Sequence, residues 1–310
     1  MQAFAYNEKG PRRHNEDRFC LVIPGTGSLV AAVADGMGGH AGGDVAASIA
    51  IQTVKDEFKA GTSIFEVPRL AHEAILGAAR KKRELGGMGT TLTAVVILDD
   101  ILYGAHVGDS HAYLVRDGEV FLLSEDHSVS GLLLAKGVIT ELHSKSHPLK
   151  NQVVFACGMV CDEFYTQTFD VALRDGDKIL LSTDGLHDNL FEEDIAETAM
   201  FYDDGPHFNN LCKKLIALSR FRGLTDNATL VALSYTDEDS QGVEQHVFDE
   251  SLTICLNCSC DDKDPCQIAS DNSTCHWAYL FEGRGIGICS DCAERGVSWD
   301  DDEELWTLIR

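Results

Sequence analysis

The stretch Leu29-Val30-Ala31-Ala32-Val33-Ala34-Asp35-Gly36-Met37-Gly38-Gly39-His40 joins six consecutive apolar residues to an Asp-Gly pair. An uninterrupted apolar run of this length, closed by a turn, is typical of a strand that is buried on both faces. The end of such a strand holds a carboxylate rigidly, and the glycine beside it lets the backbone and a ligand approach closely. We therefore predict a buried strand that presents the Asp35 side chain at its end.

Four further acidic residues stand in short stretches along the first two-thirds of the chain, and the Asp-Gly or Gly-Asp pairs among them again follow apolar runs. The further acidic residues are Asp109 in Val107-Gly108-Asp109-Ser110, Asp184 and Asp188 in Ser182-Thr183-Asp184-Gly185-Leu186-His187-Asp188, and Asp226 in Thr225-Asp226-Asn227. Carboxylate oxygens are the ligands that hard divalent cations prefer. If these strand ends converge, the sequence predicts a cage for such cations.

The pattern of apolar residues predicts many strands and few long helices. Predicted helices are Gly43–Lys59, Ile64–Glu84, which ends in the basic run Arg80-Lys81-Lys82-Arg83, and Phe208–Phe221. Predicted strands are Ala3–Asn7, Arg18–Ile23, Leu29–Ala34, Thr91–Leu98, Ile101–His106, His111–Arg116, Glu119–Leu123, Gln167–Ala172, Lys178–Ser182 and Ala228–Ser234. Strand and helix do not alternate regularly, so we expect an α+β protein with antiparallel sheets covered by helices.

Composition and charge exclude several classes of protein. The chain has 310 residues, 44% of them apolar, and a formal net charge of −25. No uninterrupted apolar stretch reaches the roughly 18 residues of a membrane span, and the first residues lack the pattern of a secretory signal, so we expect a cytoplasmic protein without a membrane partner. The acidic charge argues against DNA or RNA as a partner and fits a cation-binding protein.

The composition also divides the chain. Residues 1–235 carry the predicted strands and helices, residues 236–250 are acidic and polar as in a linker, and residues 251–310 contain seven cysteines between Cys255 and Cys292. We expect one large layered domain followed by a linker and a small cysteine-rich module.

Six motifs in order resemble the metal-dependent protein phosphatases of the PPM type, the protein phosphatase 2C family, and in particular its bacterial members. They are residues 10–19 (Gly-Pro-Arg-Arg-His-Asn-Glu-Asp-Arg-Phe), the Asp35 loop, residues 86–91 (Gly-Gly-Met-Gly-Thr-Thr), residues 106–110 (His-Val-Gly-Asp-Ser), the Asp184 loop, and residues 225–229 (Thr-Asp-Asn-Ala-Thr). The resemblance implies a four-layer αββα fold, in which two antiparallel sheets form a central sandwich flanked by helices. It also implies a variable flap over about residues 126–165.

The resemblance implies the following metal site. Asp35, Asp184 and Asp226 would hold two Mn²⁺ or Mg²⁺ ions, joined by the backbone carbonyl of Gly36, with Glu16 reaching the second ion directly or through water. A water that bridges the two ions would attack phosphorus in line. A third and weaker metal position would use Asp109 and Asp188 together with Asp184; the alternative for Asp188 is a surface residue near a helix start.

The resemblance also implies the remaining catalytic roles. Arg12 would grip the substrate phosphate, because a planar guanidinium matches two phosphoryl oxygens; Arg13 is the rival, and the spacing favours Arg12. Asp17 would orient the bridging water or, alternatively, anchor the start of a strand. Eukaryotic members have a histidine where this chain has Met37, so the acid that protonates the leaving alcohol is either His40 or a metal-bound water.

The tail contains two Cys-x-x-Cys pairs, Cys255/Cys258 and Cys289/Cys292. Thiolates at this spacing in a cytoplasmic protein favour structural tetrahedral Zn²⁺, which would also stabilise a module too small to fold on its own core. Four more candidates remain open as a second zinc site, as replacement ligands or as free thiols: Cys260, Cys266, Cys275 and His276.

Three functions compete at this stage. The first is a phosphatase that removes phosphate from phosphoserine or phosphothreonine in proteins, opposing a partner kinase. The second is a signalling scaffold in which the zinc tail recruits partners, and the intact set Arg12, Glu16, Asp35, Asp184 and Asp226 weighs against it. The third, an unrelated divalent-metal nuclease, is disfavoured by the acidic charge and by the order of the motifs.

Overall fold

The computed structural model describes residues 1–22, 28–38, 42–201 and 208–236 in full. Farther along the chain it gives only the backbone of four strands. The strands are β1 (Gln2–Glu8), β2 (Arg18–Val22), β3 (Leu29–Ala34), β4 (Gly36–Met37), β5 (Gly89–Thr90), β6 (Leu92–Leu98), β7 (Ile101–Val107), β8 (His111–Arg116), β9 (Glu119–Leu122), β10 (Gln167–Ala172), β11 (Lys178–Ser182), β12 (Ala228–Ser234), β13 (Glu244–Phe248), β14 (Ile254–Cys255), β15 (Trp277–Phe281) and β16 (Ile286–Cys289). The α-helices are α1 (Gly43–Ala60), α2 (Val67–Lys81), α3 (Val129–Ala135), α4 (Glu141–Lys145), α5 (Asp184–His187), α6 (Glu192–Phe201) and α7 (Phe208–Phe221).

Two large sheets form the body of the fold. One has the strand order β13-β1-β12-β11-β8-β9 and the other the order β10-β7-β6-β3-β2. All their neighbouring strands run antiparallel except the edge pair β1 and β13, which is parallel. The antiparallel prediction therefore holds for both sheets apart from this edge pair. β13 lies within the segment predicted to be a linker.

Three hydrophobic cores show how the layers stack. The first lies between the sheets and includes Val33, Leu114, Ile179 and Val231. The second packs α1 and α2 on the five-stranded sheet, and the third packs α6 and α7 on the six-stranded sheet. Because the central strands are buried on both faces, their sequences are continuously apolar. The four-layer αββα arrangement is the one that the resemblance implies.

The predicted helix over 64–84 is divided into three parts. A 3-10 turn covers Ile64–Glu66, α2 begins with a proline in its first turn, and a second 3-10 turn covers Arg83–Leu85. α2 ends because Lys82 has extended backbone angles, with φ −133° and ψ 109°. Proline is tolerated in the first turn of a helix because the N–H group that it lacks has no helical partner there. The periodicity identified the helical segment but not these two breaks.

Other elements were not predicted. The helices α3 to α6 and the two-residue strands β4 and β5 were absent from the sequence interpretation, because each is short. Beyond residue 236, β16 pairs parallel to β14 and antiparallel to β15, and β14 and β16 lie against α7. Among the residues that the structure describes, no helix combines the length and apolar character needed to cross a membrane.

Candidate active site

The Asp35 loop is fixed by the neighbouring strand β6. Thr91, the residue before β6, accepts a hydrogen bond on Oγ1 from the Asp35 backbone N–H at 2.8 Å, and its own N–H donates to the Asp35 carbonyl at 2.9 Å. The same Thr91 hydroxyl lies 2.8 Å from the Ser110 hydroxyl, which follows Asp109. One threonine therefore holds the Asp35 and Asp109 loops side by side at one end of the five-stranded sheet.

The Asp184 and Asp226 loops meet at the corresponding end of the six-stranded sheet. Gly185 is required there, because a Cβ atom at this position would lie 1.9 Å from the Asn227 carbonyl oxygen and 3.3 Å from the Asp226 Cβ atom. β11 ends just before Asp184 and β12 begins just after Asp226, and these strands are antiparallel neighbours. The pairing therefore brings two carboxylates together that are far apart in the sequence.

Asp17 joins the two sheets. Asp17 precedes β2 of the five-stranded sheet. Its Oδ2 atom accepts hydrogen bonds at 2.7 Å from Thr183, which follows β11, and from Thr229, which belongs to β12, and both of these strands are in the six-stranded sheet. The Asp17 residue is 1% exposed, so these bonds form away from solvent. Of the two roles predicted for Asp17, this geometry favours an anchor at the strand start.

Glu16 is positioned by the loop that carries Asp226. Its backbone N–H donates to Asn227 Oδ1 at 2.9 Å, while the Asn227 amide donates to the carbonyls of Lys9 and His14 at 2.7 and 3.0 Å. Glu16 also borders the start of α1, since a Cβ atom on Gly43 would lie 2.9 Å from the Glu16 Cδ atom. Asn227 therefore holds the segment that contains both Glu16 and Arg12.

The electrostatics of the cluster are those of several carboxylates crowded into one buried site. Burial, followed by the charges of Asp188 and Asp226, raises the pKa of Asp184 to about 7. Burial, followed by Asp17 and Asp184, holds the pKa of Asp35 well above its usual value. Five acidic groups thus affect one another across a single site.

The remaining groups follow the same trend. Burial and the charge of Asp184 hold the pKa of Asp109 well above its usual value. Burial raises the pKa of Asp17 to about 7 despite its two threonine hydrogen bonds, and burial and Asp44 raise that of Glu16. A cluster of this kind is unfavourable when fully ionised, so a multivalent cation would stabilise it.

Unpaired oxygens in the cluster also fit divalent cations. Asp184 Oδ1 and Asp17 Oδ1 are buried without a hydrogen-bond partner, as is Asp44 Oδ1 nearby. Buried oxygens of this kind are normally satisfied, and the donor set consists only of carboxylate and backbone oxygens, as Mg²⁺ and Mn²⁺ prefer. The residues present therefore fit the metal ions that the fold implies.

Two side-chain cations occupy part of this donor set. Arg12 Nη2 forms a short ion pair with Asp226 Oδ2, and Lys150 Nζ lies 2.6 Å from Asp188 Oδ2. Within the described part of the chain, no three acidic, histidine or cysteine side chains are arranged closely enough to hold a metal ion as they stand. The loops that carry the acidic residues are therefore brought together, while Asp226 and Asp188 form ion pairs with basic side chains of the same chain.

The flap lies over this end of the sandwich and is fastened to it. Besides the pairing of Lys150 with Asp188, Lys145 Nζ at the end of α4 donates to the His187 carbonyl at 3.0 Å. Two lysines of the flap thus bind the loop that carries Asp184 and Asp188. Their contacts are internal.

Sequence reasoning gave no role to four residues that position the site: Thr91, Thr183, Asn227 and Thr229. All four lie in the motifs quoted above. Thr183 and Asn227 stand directly beside Asp184 and Asp226, and that adjacency is the signal that could have found them, whereas Thr91 and Thr229 have no acidic neighbour in the sequence. Lys150 carried no such signal, because its partner lies 38 residues away in the sequence. His40, the candidate acid, lies outside the described residues.

A four-layer sandwich with a carboxylate cluster at one end of its two sheets is the architecture of a metal-dependent protein phosphatase. The profile of the family described as Protein phosphatase 2C matches residues 11–217. The chain therefore belongs to the protein phosphatase 2C family of serine/threonine protein phosphatases.

Individual relatives agree with this assignment. The serine/threonine protein phosphatase PstP of Mycobacterium tuberculosis is 33% identical over 235 residues, which is 74% of this chain and 43% of that protein. The serine/threonine phosphatase stp of Listeria monocytogenes is 33% identical over 196 residues, which is 60% of this chain and 77% of that protein. The match thus spans less than half the length of the mycobacterial relative.

Solved structures show the same fold. The crystal structure of the M. tuberculosis phosphatase PstP/Ppp superposes with a TM-score of 0.66 at 31% identity, covering 76% of this chain and 98% of that one. The catalytic domain of PstP in complex with two manganese ions superposes with a TM-score of 0.65 at 30% identity, covering 76% of this chain and 98% of that one.

Proposed function

We propose that this protein is a metal-dependent protein serine/threonine phosphatase. The observation that carries the proposal is the convergence of carboxylates from separate loops, with raised pKa values and unpaired buried oxygens, in a chain of the protein phosphatase 2C family. Its substrates are phosphoserine and phosphothreonine proteins, among them a partner kinase or the substrates of that kinase.

The metal-binding roles follow from the positions of the loops. Asp35, Asp184 and Asp226, with the Gly36 carbonyl and Glu16, would hold two Mn²⁺ or Mg²⁺ ions. Bound ions would supply Lewis acidity and an activated water for attack on phosphorus.

Asp109 and Asp188, with Asp184, would hold a third and weaker ion. Asp109 is supported by its place beside the Asp35 loop, and Asp188 by its place one helical turn after Asp184, whose carbonyl accepts its N–H at 2.9 Å. Binding an ion here would require Asp188 to exchange Lys150 for the metal.

The chain's own residues would orient the substrate. Arg12 is half-exposed beside Asp226, so its guanidinium lies at the rim where a phosphoryl group would enter. The fork of N–H donors can bind two phosphoryl oxygens together. Asp17 acts as a positioning residue, because its bonds to Thr183 and Thr229 tie the strand after Glu16 to the strands that carry Asp184 and Asp226.

The test is Mn²⁺-dependent hydrolysis of a generic aryl phosphate by the full chain. We expect Asp184→Asn to abolish turnover while the circular dichroism spectrum stays that of a folded protein. The matched control is Asp99→Asn, which makes the same chemical change at an exposed hairpin turn between β6 and β7 with φ 49°, a conformation that asparagine also adopts. Unchanged turnover in Asp184→Asn would contradict the metal assignment.

For the tail we propose one structural Zn²⁺ bound by two Cys-x-x-Cys pairs. Cys258 and Cys292 lie outside the described residues, whereas Cys255 and Cys289 end the paired strands β14 and β16. The register supports the proposal, because Cys255 is opposite Gly287, two residues before Cys289 on the adjoining strand. Residues two apart lie on the same face of a strand.

Metal analysis of the purified full chain tests this proposal. About one Zn²⁺ per chain is expected, and Cys289→Ser should release it. Cys161→Ser, which alters an exposed cysteine in the flap, should retain the metal and serves as the control. Absence of zinc from the native protein would end the proposal.

A further inference from the structure

The end of α2 and the turn that follows it carry four consecutive basic residues, Arg80, Lys81, Lys82 and Arg83, here called the basic strip. All four are exposed, and none has an ion pair in the part of the chain that the structure describes. The whole chain has 25 basic and 50 acidic residues. An exposed run of basic residues in so acidic a protein would concentrate anionic partners at one place.

A short hydrogen-bonded segment connects the basic strip to the candidate active site. The Leu85 N–H donates to the Lys82 carbonyl at 3.0 Å, and the Met88 N–H donates to the Leu85 carbonyl at 3.2 Å. Directly after Met88, β5 pairs with β4, the two-residue strand that begins immediately after Asp35. Met88 itself lies against the loop that follows Asp35, since a Cβ atom on Gly38 would lie 2.9 Å from the Met88 Cα atom.

The other lysines near the site are engaged within the protein. Lys145 donates to the His187 carbonyl and Lys150 pairs with Asp188, so both flap cations hold the fold together. Arg12 pairs with Asp226 at the predicted phosphate position. The basic strip therefore offers cationic groups that are free in the described structure for a second anionic feature of a substrate.

We propose that the basic strip binds acidic side chains of the phosphoprotein substrate, on one side of the phosphorylated residue. The proposal rests on the phosphatase function proposed above. An extended peptide advances about 3.3 Å per residue, so acidic residues about four positions from the phosphoserine or phosphothreonine would extend beyond the carboxylate cluster toward the strip. The basic strip thereby determines which phosphoproteins bind, whereas the carboxylate cluster and Arg12 act on the phosphate itself.

Kinetics of the full chain on three kinds of substrate test this selection. The first is a pair of phosphoserine peptides with three glutamates centred about four positions before or after the phosphoserine. The second is the same pair with glutamine in place of glutamate, and the third is a generic aryl phosphate. We expect Lys81→Glu combined with Lys82→Glu to lower kcat/KM about tenfold for one acidic peptide, through KM. The glutamine peptides and the aryl phosphate should be unaffected, and the difference should shrink at about 0.5 M NaCl.

The matched control is Lys59→Glu combined with Arg174→Glu. It makes the same change in charge at two exposed positions at the far end of the sandwich. α1 begins beside Glu16, and Lys59 lies at its other end. β11 ends just before Asp184, and Arg174 precedes the first residue of that strand. This control should leave the preference for acidic peptides intact, although it changes the net charge equally.

The outcomes separate this proposal from the proposed function. If the wild-type protein hydrolyses the aryl phosphate, but the strip variant has the same kcat/KM as the wild type on both the acidic and the glutamine peptides, the strip proposal fails and the phosphatase proposal stands. If the wild-type protein with Mn²⁺ fails on every substrate, the phosphatase proposal fails first. If the variant loses only binding to vesicles containing phosphatidylserine, with unchanged peptide kinetics, the strip serves a lipid surface and the proposal is overturned.

Discussion

Replacing Asp184 by asparagine is expected to stabilise the metal-free protein at about pH 8 and to destabilise it at about pH 4. The reason is that the pKa of Asp184 rises from 3.8 to about 7 on folding, chiefly because of burial and then because of Asp188 and Asp226. Between these two values the folded protein holds a proton that the unfolded chain has already released. The stability of the wild type therefore falls as pH rises through this window.

The magnitude follows from the two pKa values. At about 1.4 kcal/mol per pH unit, ionised Asp184 costs about 4 kcal/mol of the free energy of unfolding above pH 7. Asparagine carries no charge and avoids this cost. The N–H donors of its buried amide have no hydrogen-bond partner in the metal-free protein, however, which costs about 1–3 kcal/mol. The net gain at pH 8 is about 2 kcal/mol, and only the amide cost remains at pH 4.

Thermal unfolding in EDTA measures the change of sign. A gain of about 2 kcal/mol corresponds to about 4–8 °C in Tm for a domain of this size. Added Mn²⁺ at pH 8 should stabilise the wild type far more than Asp184→Asn, because only the wild type retains the full ligand set. Asp99→Asn should follow the wild type at both pH values. A metal-free Asp184→Asn protein that is less stable than the wild type at pH 8 would refute the reasoning.

Three further changes test individual contacts. Arg12→Ala should raise KM for an aryl phosphate about 10- to 100-fold in steady-state kinetics, because a charge-assisted hydrogen bond contributes about 1.5–3 kcal/mol; an unchanged KM would show that this residue does not grip the phosphate and serves only Asp226. Lys150→Met should strengthen Mn²⁺ binding about two- to fivefold in calorimetry by freeing Asp188 from a partly exposed ion pair, and weaker binding would contradict the competition. Glu8→Ala should lower the free energy of unfolding in urea by about 3 kcal/mol, since it breaks an ion pair whose two side chains are 6% and 5% exposed, and a loss below 1 kcal/mol would show that the arginine partner is satisfied elsewhere.

The sequence predicted the central strands well because both their faces are buried. β3, β8, β11 and β12 begin and end at the predicted residues, since each is a dense run of apolar or β-branched residues closed by a turn. The edge strand β10 also has its predicted bounds, because its residues alternate between half-buried and exposed positions. Short elements escaped this reasoning. β4 and β5 exist because hydrogen bonds join residues more than fifty positions apart, and β13 lies beside β1 through pairing of the two ends of the domain.

The acidic residues could be named from the sequence, but their present partners could not. Asp35 and Asp184 stand at strand ends, and antiparallel pairing brings those ends to one edge of the sandwich. The ion pair of Lys150 with Asp188 depends on where the flap lies, which no local pattern records. The two roles left open for Asp17 differ in their hydrogen bonds, and only the folded chain shows that Thr183 and Thr229 surround it.

A crystal structure of the full chain soaked in Mn²⁺, with anomalous scattering recorded at the manganese edge, tests the central claim most directly. The account predicts two strong anomalous peaks between the Asp35, Asp184 and Asp226 carboxylates, at metal–oxygen distances of about 2.2 Å. Strong peaks elsewhere and none among these three side chains would contradict it.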